Sequence, residues 1–176
     1  LKKEQRKLSR KLEAAKKDKR NYSKCKNYKE QRLKLARLHK HVANQRLDFI
    51  RNVVNEEVKN HDYLFAEDLK TCNLIKNPKL AKAISDSGWR MFLIELQNCA
   101  SKRGKTCLLV NPKNTTQTCS NCGYVCHGNT HITLGKEEWI CPNCGAYHIR
   151  DYNAGKNILA TGLALLKESG VTLSIT

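Results

Sequence analysis

The chain has 176 residues, 40% of them hydrophobic, which is enough for one domain with a modest core and a small appendage. Its net charge of +17 makes nucleic acid the leading expected partner, with an anionic lipid surface or a merely solvated helix face as alternatives. The sequence contains no signal peptide and no run of the roughly 18 apolar residues that a membrane span needs, so we expect an intracellular, cytoplasmic protein without a membrane partner, nucleoid-associated if the host is prokaryotic.

The charge excess is concentrated in residues 1–58, which hold 19 basic and 7 acidic residues. Residues 1–20 predict a charged helix, and residues 28–58 predict a second one. An apolar stripe along the second helix predicts a buried face; it runs through Leu35, Leu38, Val42, Phe49 and Val53 and is flanked by Leu47, Ile50, Val54 and Val58. The opposite side, called the basic face below, is expected to contact nucleic-acid phosphates through Arg32, Lys34, Arg37, Lys40, Arg46 and Arg51.

The rest of the chain alternates predicted strands and helices, an order typical of α/β proteins. The segment YLFAEDL predicts a buried strand that ends at Glu67, and TCLLV at 106–110 predicts a second strand. Between them a helix is predicted over 79–102, closed by Gly104. A last helix is predicted over 151–168, with inward-facing residues Ile158, Leu159, Leu165 and Leu166.

A cysteine module lies before that last helix, at residues 115–147. It contains two copies of one pattern, Cys119-Ser-Asn-Cys122-Gly and Cys141-Pro-Asn-Cys144-Gly, called the first and second knuckle below. Four thiolates from two matched knuckles favour a tetrahedral, structural Zn²⁺ site, with iron as the lesser competitor and redox dithiols or disulfides as alternatives. Because four sulfurs fill the coordination sphere, this metal is expected to fold the module and not to catalyse.

Two carboxylates stand at element boundaries near this module. Glu67 ends a predicted strand, and Asp151 begins the predicted last helix. Carboxylates contributed by separate elements are how Mg²⁺ sites for phosphoryl transfer are built. From the residues alone two other readings stay open, because Asp151 fits a helix cap and Glu67 fits a solvated strand end.

Several stretches of the chain resemble, in family order, the C-terminal part of the TnpB (OrfB) proteins, transposon-encoded relatives of the compact type V CRISPR effectors. They are RKLSRKL with KLARLHKHVANQRLDFI, then LFAEDL, then SDSGW, then NTTQTCSNCG through WICPNCGAYHIRDYNAGKNIL. The resemblance covers nearly all residues from about 5 to 166. The cysteine and RDYN segments are its most specific parts.

The resemblance implies an RNase H-like (RuvC) nuclease domain of α/β fold, with the zinc ribbon inserted before the last helix. It also implies an RNA-guided DNA endonuclease with DNA and a guide RNA as partners and Mg²⁺ as catalytic cofactor. Glu67 matches the second acidic metal ligand of the family and Asp151 the third. Arg150 matches the arginine that precedes that aspartate, where it would orient or neutralise phosphate.

The chain departs from the family pattern in what precedes the basic helices. The first acidic ligand and the first strands of the sheet have no counterpart here, so we expect this segment alone to be inactive. A nuclease-dead binding module or repressor is the alternative. Gly155 stands where relatives carry alanine, which weakens the last helix slightly. The predicted organisation is a basic helical segment (1–58), a RuvC-like core (59–114), a zinc ribbon (115–147), a final helix (148–168) and a tail (169–176).

Overall fold

A computed structural model describes residues 1–133 and 135–170. The chain divides into two compact units, Leu1–Val53 and Val54–Thr176. The division falls within a helix, five residues before the predicted end of the basic segment. The tail predicted over 169–176 lies largely outside the described residues.

The first unit is a pair of helices joined by a turn. Helix α1 covers Lys2–Lys17 and helix α2 covers Lys26–Asn60, so both predicted helices are confirmed. A 3₁₀ turn at Tyr22–Lys24 connects them and is capped by the side chain of Asn21. Gln31 on α2 donates from Nε2 to Glu4 Oε2 at 2.8 Å, which ties the two helices together.

The buried stripe of α2 differs from the predicted one. Leu35 is buried as expected, but Phe49 is 69% exposed, and the buried residues farther along are Ile50, Val54 and Val58. These three repeat every four residues, so their stripe drifts around the helix relative to a strict 3.6-residue period. Hydrophobicity alone predicted that Phe49 would be buried, but in the structure its neighbour Ile50 is the buried residue.

The second unit contains a two-stranded parallel sheet. Strand β1 is Tyr63–Glu67 and strand β2 is Thr106–Val110, with Glu67 paired to Val110 at their carboxyl ends. Both predicted strands are confirmed at their predicted ends. Parallel pairing requires a crossover, which is supplied by the short helix α3 (Thr71–Leu74) and by α4 (Pro78–Ser87) and α5 (Trp89–Lys102).

The single helix predicted over 79–102 is wrong in one respect, because it is two helices. Gly88 has φ +67° and interrupts the helix between α4 and α5. Glycine adopts this left-handed conformation without the steric cost of a Cβ, so the break occurs there. Leu93, Leu96 and Ala100 of α5 are buried.

Helix α6 (Arg150–Glu168) packs on both strands of the parallel sheet. Its inward residues were only partly predicted: Leu166 is buried and Ile158 is half-buried, but Leu159 and Leu165 are exposed. Ala154, Gly162 and Leu166 are buried. Together with the half-buried Ile158 they follow one another at every fourth position of the helix. Small residues were missed because a hydrophobic pattern does not reveal where a helix approaches a sheet closely.

Strands and helices of the second unit confirm the α/β prediction. The RuvC-like identity of the sheet and the absence of its first strands remain predictions. Among the described residues, no helix combines the length and the apolar character that crossing a membrane requires.

Candidate metal centre and carboxylate site

The two knuckles bring their four sulfurs together. All four Sγ atoms, from Cys119, Cys122, Cys141 and Cys144, lie within 4.8 Å of one another. The Cys119–Cys144 and Cys122–Cys141 pairs, each joining the two knuckles, are both 3.7 Å apart. A tetrahedron with Zn–S bonds of about 2.3 Å has edges of about 3.8 Å. The cluster therefore fits a tetrahedrally bound metal ion.

Each knuckle is shaped by the glycine that follows its second cysteine. Gly123 has φ +76° and Gly145 has φ +72°, a left-handed conformation that glycine adopts without the steric cost of a Cβ. Their N–H groups donate to the carbonyls of Cys119 and Cys141, at 2.9 Å in both knuckles. The turn is thereby closed and holds both sulfurs of a knuckle on one side.

An antiparallel pair of strands supports the second knuckle. Strand β3 (Glu138–Ile140) pairs with β4 (Tyr147–Ile149), so the ribbon extends two residues beyond its predicted end. Trp139 is buried against the cysteines together with Ile132 and Cys126. Cys126 lies outside the four-sulfur group and contributes to this small core.

His148 is a site residue that the sequence analysis missed. It is buried on β4, its ring lies 4.6 Å from that of Trp139, and its Nε2 is 3.0 Å from Cys119 Sγ. Burial lowers the pKa of this histidine, which favours the neutral ring. The hydrophobic pattern gave no signal for this, because the apolar residues on either side, Tyr147 and Ile149, are the exposed ones.

The sulfurs differ in their surroundings. Burial raises the pKa of the Cys119 thiol to about 12. The N–H of Ala146 and then the amide of Asn121 lower the pKa of Cys144 to about 6, and the amide of Asn143 is the main cause of a lowered pKa at Cys122. Hydrogen bonds to sulfur stabilise the thiolate, so the exposed pair is prepared for metal binding and the buried Cys119 needs the metal to displace its proton.

Glu67 is held in place at the carboxyl end of β1. Its side chain is half-buried and its Oε1 accepts a hydrogen bond from the hydroxyl of Thr115, which is itself buried. The open reading of Glu67 as a freely solvated strand end is therefore wrong.

Asp151 is the second residue of α6 and is exposed, with 80% of its side chain accessible. The cap position is Ile149, which makes no side-chain capping bond, so Asp151 is not the helix cap. Instead its Oδ1 accepts from Arg150 Nε at 2.9 Å.

Glu67 and Asp151 face the same side of the second unit. Period two along β1 places Glu67 on the same face as Phe65, whose ring contacts Gly162 of α6. Asp151 precedes Gly162 by eleven residues, which is three turns, so both lie on the helix face toward Phe65. Strand and helix periodicity therefore predict that the two carboxylates share one side of the β1–α6 pair.

Residues 115–118 connect the two carboxylates. Thr115 bonds Glu67 through its hydroxyl, and its carbonyl accepts from Asn157 Nδ2 on α6 at 2.8 Å. Asn153 also donates to the carbonyl of Thr118, at 2.7 Å. Thr115 therefore joins Glu67, at the end of β1, to Asn157 of α6, the helix on which Asp151 is the second residue.

The two carboxylates do not complete a metal site by themselves. Among the described residues, the four cysteines form the one group of three or more ligand side chains close enough to hold an ion. The Mg²⁺ site implied by the resemblance is therefore incomplete in these residues.

The basic face lies within the first unit as far as Arg51. All six of its side chains are exposed, as the prediction required. Lys34 Nζ is 3.7 Å from Glu4 Oε2, so part of its charge is compensated within the helix pair. Their contact with nucleic acid remains a prediction.

Two family models match the chain. The model described as "Probable transposase" matches residues 1–78, and the one described as "Cas12f1-like, TNB domain" matches residues 89–158. A chain in the "Cryo-EM structure of the Cas12f1-sgRNA-target DNA complex" aligns with a TM-score of 0.49 at 18% identity, covering 88% of this chain and 40% of that one. A TM-score below 0.5 is too low to support a conclusion about fold.

Curated relatives match most of the chain. The "Putative RNA-guided DNA endonuclease" of Streptomyces pristinaespiralis is 37% identical over 139 residues, covering 78% of this chain and 34% of that protein. The "Putative RNA-guided DNA endonuclease InsQ" of Escherichia coli K12 is 32% identical over 155 residues, covering 80% and 38%. A "TnpB-like protein" of Acanthamoeba polyphaga mimivirus is 31% identical over 136 residues, covering 73% and 25%.

The chain thus spans about a third of the length of the curated relatives it matches. The two family models cover both the basic helices and the cysteine module, and the relatives carry the TnpB name or that of an RNA-guided endonuclease. The chain belongs to the TnpB (OrfB) family of transposon-associated proteins.

Proposed function

We propose that this chain is the C-terminal part of an RNA-guided DNA endonuclease that hydrolyses phosphodiester bonds at a RuvC-like site. Glu67 and Asp151 are two of the acidic ligands of that site. The observation that supports the proposal is that Glu67, at the end of β1, is joined through Thr115 to Asn157 of α6, the helix on which Asp151 is the second residue. The names of the relatives support the same reaction.

Each carboxylate has a distinct role under this proposal. The hydroxyl of Thr115 orients Glu67, so one of its oxygens is directed and the other is left for a metal. Asp151 would be a second metal ligand near the start of α6, and Arg150, whose Nε donates to it, would lie beside a phosphate of the DNA strand. Mg²⁺, when bound, supplies an activated water and stabilises the leaving oxygen.

The remaining parts of the chain hold the nucleic acids and the site. The four-cysteine cluster binds Zn²⁺ and keeps the start of α6 attached to the knuckles, since Asn153 Oδ1 accepts from the N–H of Ser120 at 2.9 Å. The basic face follows the phosphates of the DNA or of the guide RNA heteroduplex, and base pairing selects the sequence. Such a protein acts in the cytoplasm.

The isolated chain does not cut DNA under this proposal. The carboxylates of Glu67 and Asp151 would hold metal ions poorly without the remaining ligand. That ligand, an aspartate at the end of an upstream strand, belongs to the longer protein.

The test is Mg²⁺-dependent cleavage of labelled DNA by the protein from the complete reading frame, purified with its RNA. Glu67→Gln and Asp151→Asn are each expected to abolish cleavage. Asp68→Asn is the matched control, because residue 68 is also a carboxylate and lies one residue beyond the end of β1. Full activity of either site variant would refute the assignment.

A second candidate is a binding module that occupies nucleic acid without cutting it. It is favoured by the incomplete set of acidic ligands among the described residues. The complete protein would then bind RNA and DNA in the same assay, and neither strand would be cleaved with or without the substitutions.

A further inference from the structure

The two knuckles form a closely matched pair in their backbone as well as in their sulfurs. In the first knuckle the N–H of Cys119 donates to the carbonyl of Tyr124 at 2.8 Å, and in the second the N–H of Cys141 donates to Ala146 at 2.8 Å. A side-chain contact that both knuckles make in the same way is therefore a feature of the metal site. A contact that only one knuckle makes is a feature of that knuckle.

One pair of side-chain contacts obeys this symmetry and crosses between the knuckles. Asn121 of the first knuckle donates from Nδ2 to Cys144 Sγ of the second at 3.6 Å. Asn143 of the second knuckle donates from Nδ2 to Cys122 Sγ of the first at 3.5 Å. The residues before these asparagines differ, Ser120 in one knuckle and Pro142 in the other, so the match is specific to the amide position.

The two asparagines contact the two exposed sulfurs of the cluster. Cys122 and Cys144 are the exposed members of the cluster, whereas Cys119 and Cys141 are 1% exposed. Four thiolates around one divalent ion carry a net charge of −2, and N–H donors spread that charge over neighbouring dipoles. Cys119 has its own neighbour in His148.

We propose that Asn121 and Asn143 are reciprocal positioning residues, each holding the exposed thiolate of the opposite knuckle for metal binding. The proposal rests on the four-cysteine metal site proposed above. Because each amide reaches across the site, the pair also joins two knuckles whose facing cysteines are separated by eighteen residues of chain. Part of the conformational entropy that is lost on closing the loop is therefore lost before the ion binds.

The test measures zinc affinity of the whole chain by competition with a chromogenic chelator. Asn121→Ala and Asn143→Ala are each expected to weaken binding by about tenfold, within the range for residues that support metal ligands. Ser120→Ala is the control in the same knuckle, because it keeps the backbone N–H that bonds Asn153, and it should change affinity less than about twofold.

The substitutions Asn121→Leu and Asn143→Leu separate hydrogen bonding from packing. Leucine is close to asparagine in shape and is uncharged, but it has no N–H donor. Donation to sulfur predicts that each Leu variant binds zinc as weakly as the Ala variant. A packing role predicts that the Leu variant recovers most of the lost affinity, since the side chain of similar shape fills the same space.

The Co²⁺-loaded chain supplies a readout that a packing role does not move. Loss of an N–H donor raises the electron density on sulfur, so the thiolate-to-metal charge-transfer band should shift to lower energy in both Ala variants and stay in place in Ser120→Ala. Zinc bound equally well by wild type and all four asparagine variants would overturn this proposal alone. A wild-type chain that binds no zinc would overturn the metal site as well, whereas the cleavage assay tests Glu67 and Asp151 separately.

Discussion

Gly162 is the position where the packing of α6 on the sheet can be tested most directly. It is buried, and a Cβ added there would overlap the ring of Phe65, with Cε1 at 2.8 Å and two further ring atoms closer. Overpacking of this kind costs about 1–3 kcal/mol, and contact with several ring atoms belongs to the upper part of that range. Ala gains about 1 kcal/mol in helix propensity over Gly, so Gly162→Ala should destabilise by about 1–2 kcal/mol.

Gly155 on the same helix is the matched control. A Cβ there meets nothing within 4 Å, so only the propensity term remains and Gly155→Ala should stabilise by about 0.5–1 kcal/mol. A Gly→Ala substitution is therefore expected to change the free energy of unfolding in opposite directions at two positions of α6 that are two turns apart.

Urea unfolding of the zinc-loaded chain, followed by tryptophan fluorescence, measures both effects. The two tryptophans, Trp89 and Trp139, both lie in the second unit and report on it alone. With an m-value of about 2 kcal/mol/M, the Gly162→Ala midpoint should fall by about 0.5–1 M and that of Gly155→Ala should rise. Phe65→Leu should recover part of the loss in the Gly162→Ala background.

A Gly162→Ala chain as stable as wild type would refute the close approach of α6 to β1. It would also weaken the case that Glu67 and Asp151 share a side, because that case depends on Phe65 and Gly162 being in contact.

Two further predictions concern the first unit. Hydrogen bonds from Lys7 and then Gln31 hold the pKa of the Glu4 carboxyl at about 2, below its usual 4.5, so the stability it contributes is present above pH 4.5 and is lost as the pH falls toward about 2. Glu4→Gln should remove this pH dependence from the unfolding of the helix pair, as monitored by NMR. The control Glu13→Gln should keep it. An acid transition that persists in Glu4→Gln would contradict the assignment. Charge reversal at four positions of the basic face, Arg32, Arg37, Lys40 and Arg46, should reduce the slope of log K against log salt for nucleic-acid binding by about 3–4, and an unchanged slope would exclude those contacts.

Much of the second unit could be predicted from local pattern. The segment YLFAEDL is apolar until its carboxylates, and strand β1 ends at Glu67 as predicted. The two Cys-x-x-Cys-Gly repeats predicted a four-sulfur cluster because ligand spacing and the glycine conformation are local properties. The family resemblance likewise depends on short motifs, and the comparisons confirm it.

What the pattern could not predict depends on contacts between distant residues. Phe49 is as hydrophobic as Ile50, and only packing leaves the first exposed and the second buried. Leu159 and Leu165 satisfy a helical stripe by hydrophobicity, but the sheet is close enough to α6 that Gly162 is the residue that fits against Phe65.

The site shows the same division. The sequence by itself determined which residues have the chemistry, because cysteine spacing and carboxylates at element ends are visible in one dimension. Only the tertiary structure decided that Thr115 orients Glu67, that His148 approaches Cys119, and that the knuckle asparagines cross to the opposite sulfurs. These contacts join residues 21 to 48 positions apart in the chain, and their geometry is set by how the elements pack and not by any local preference.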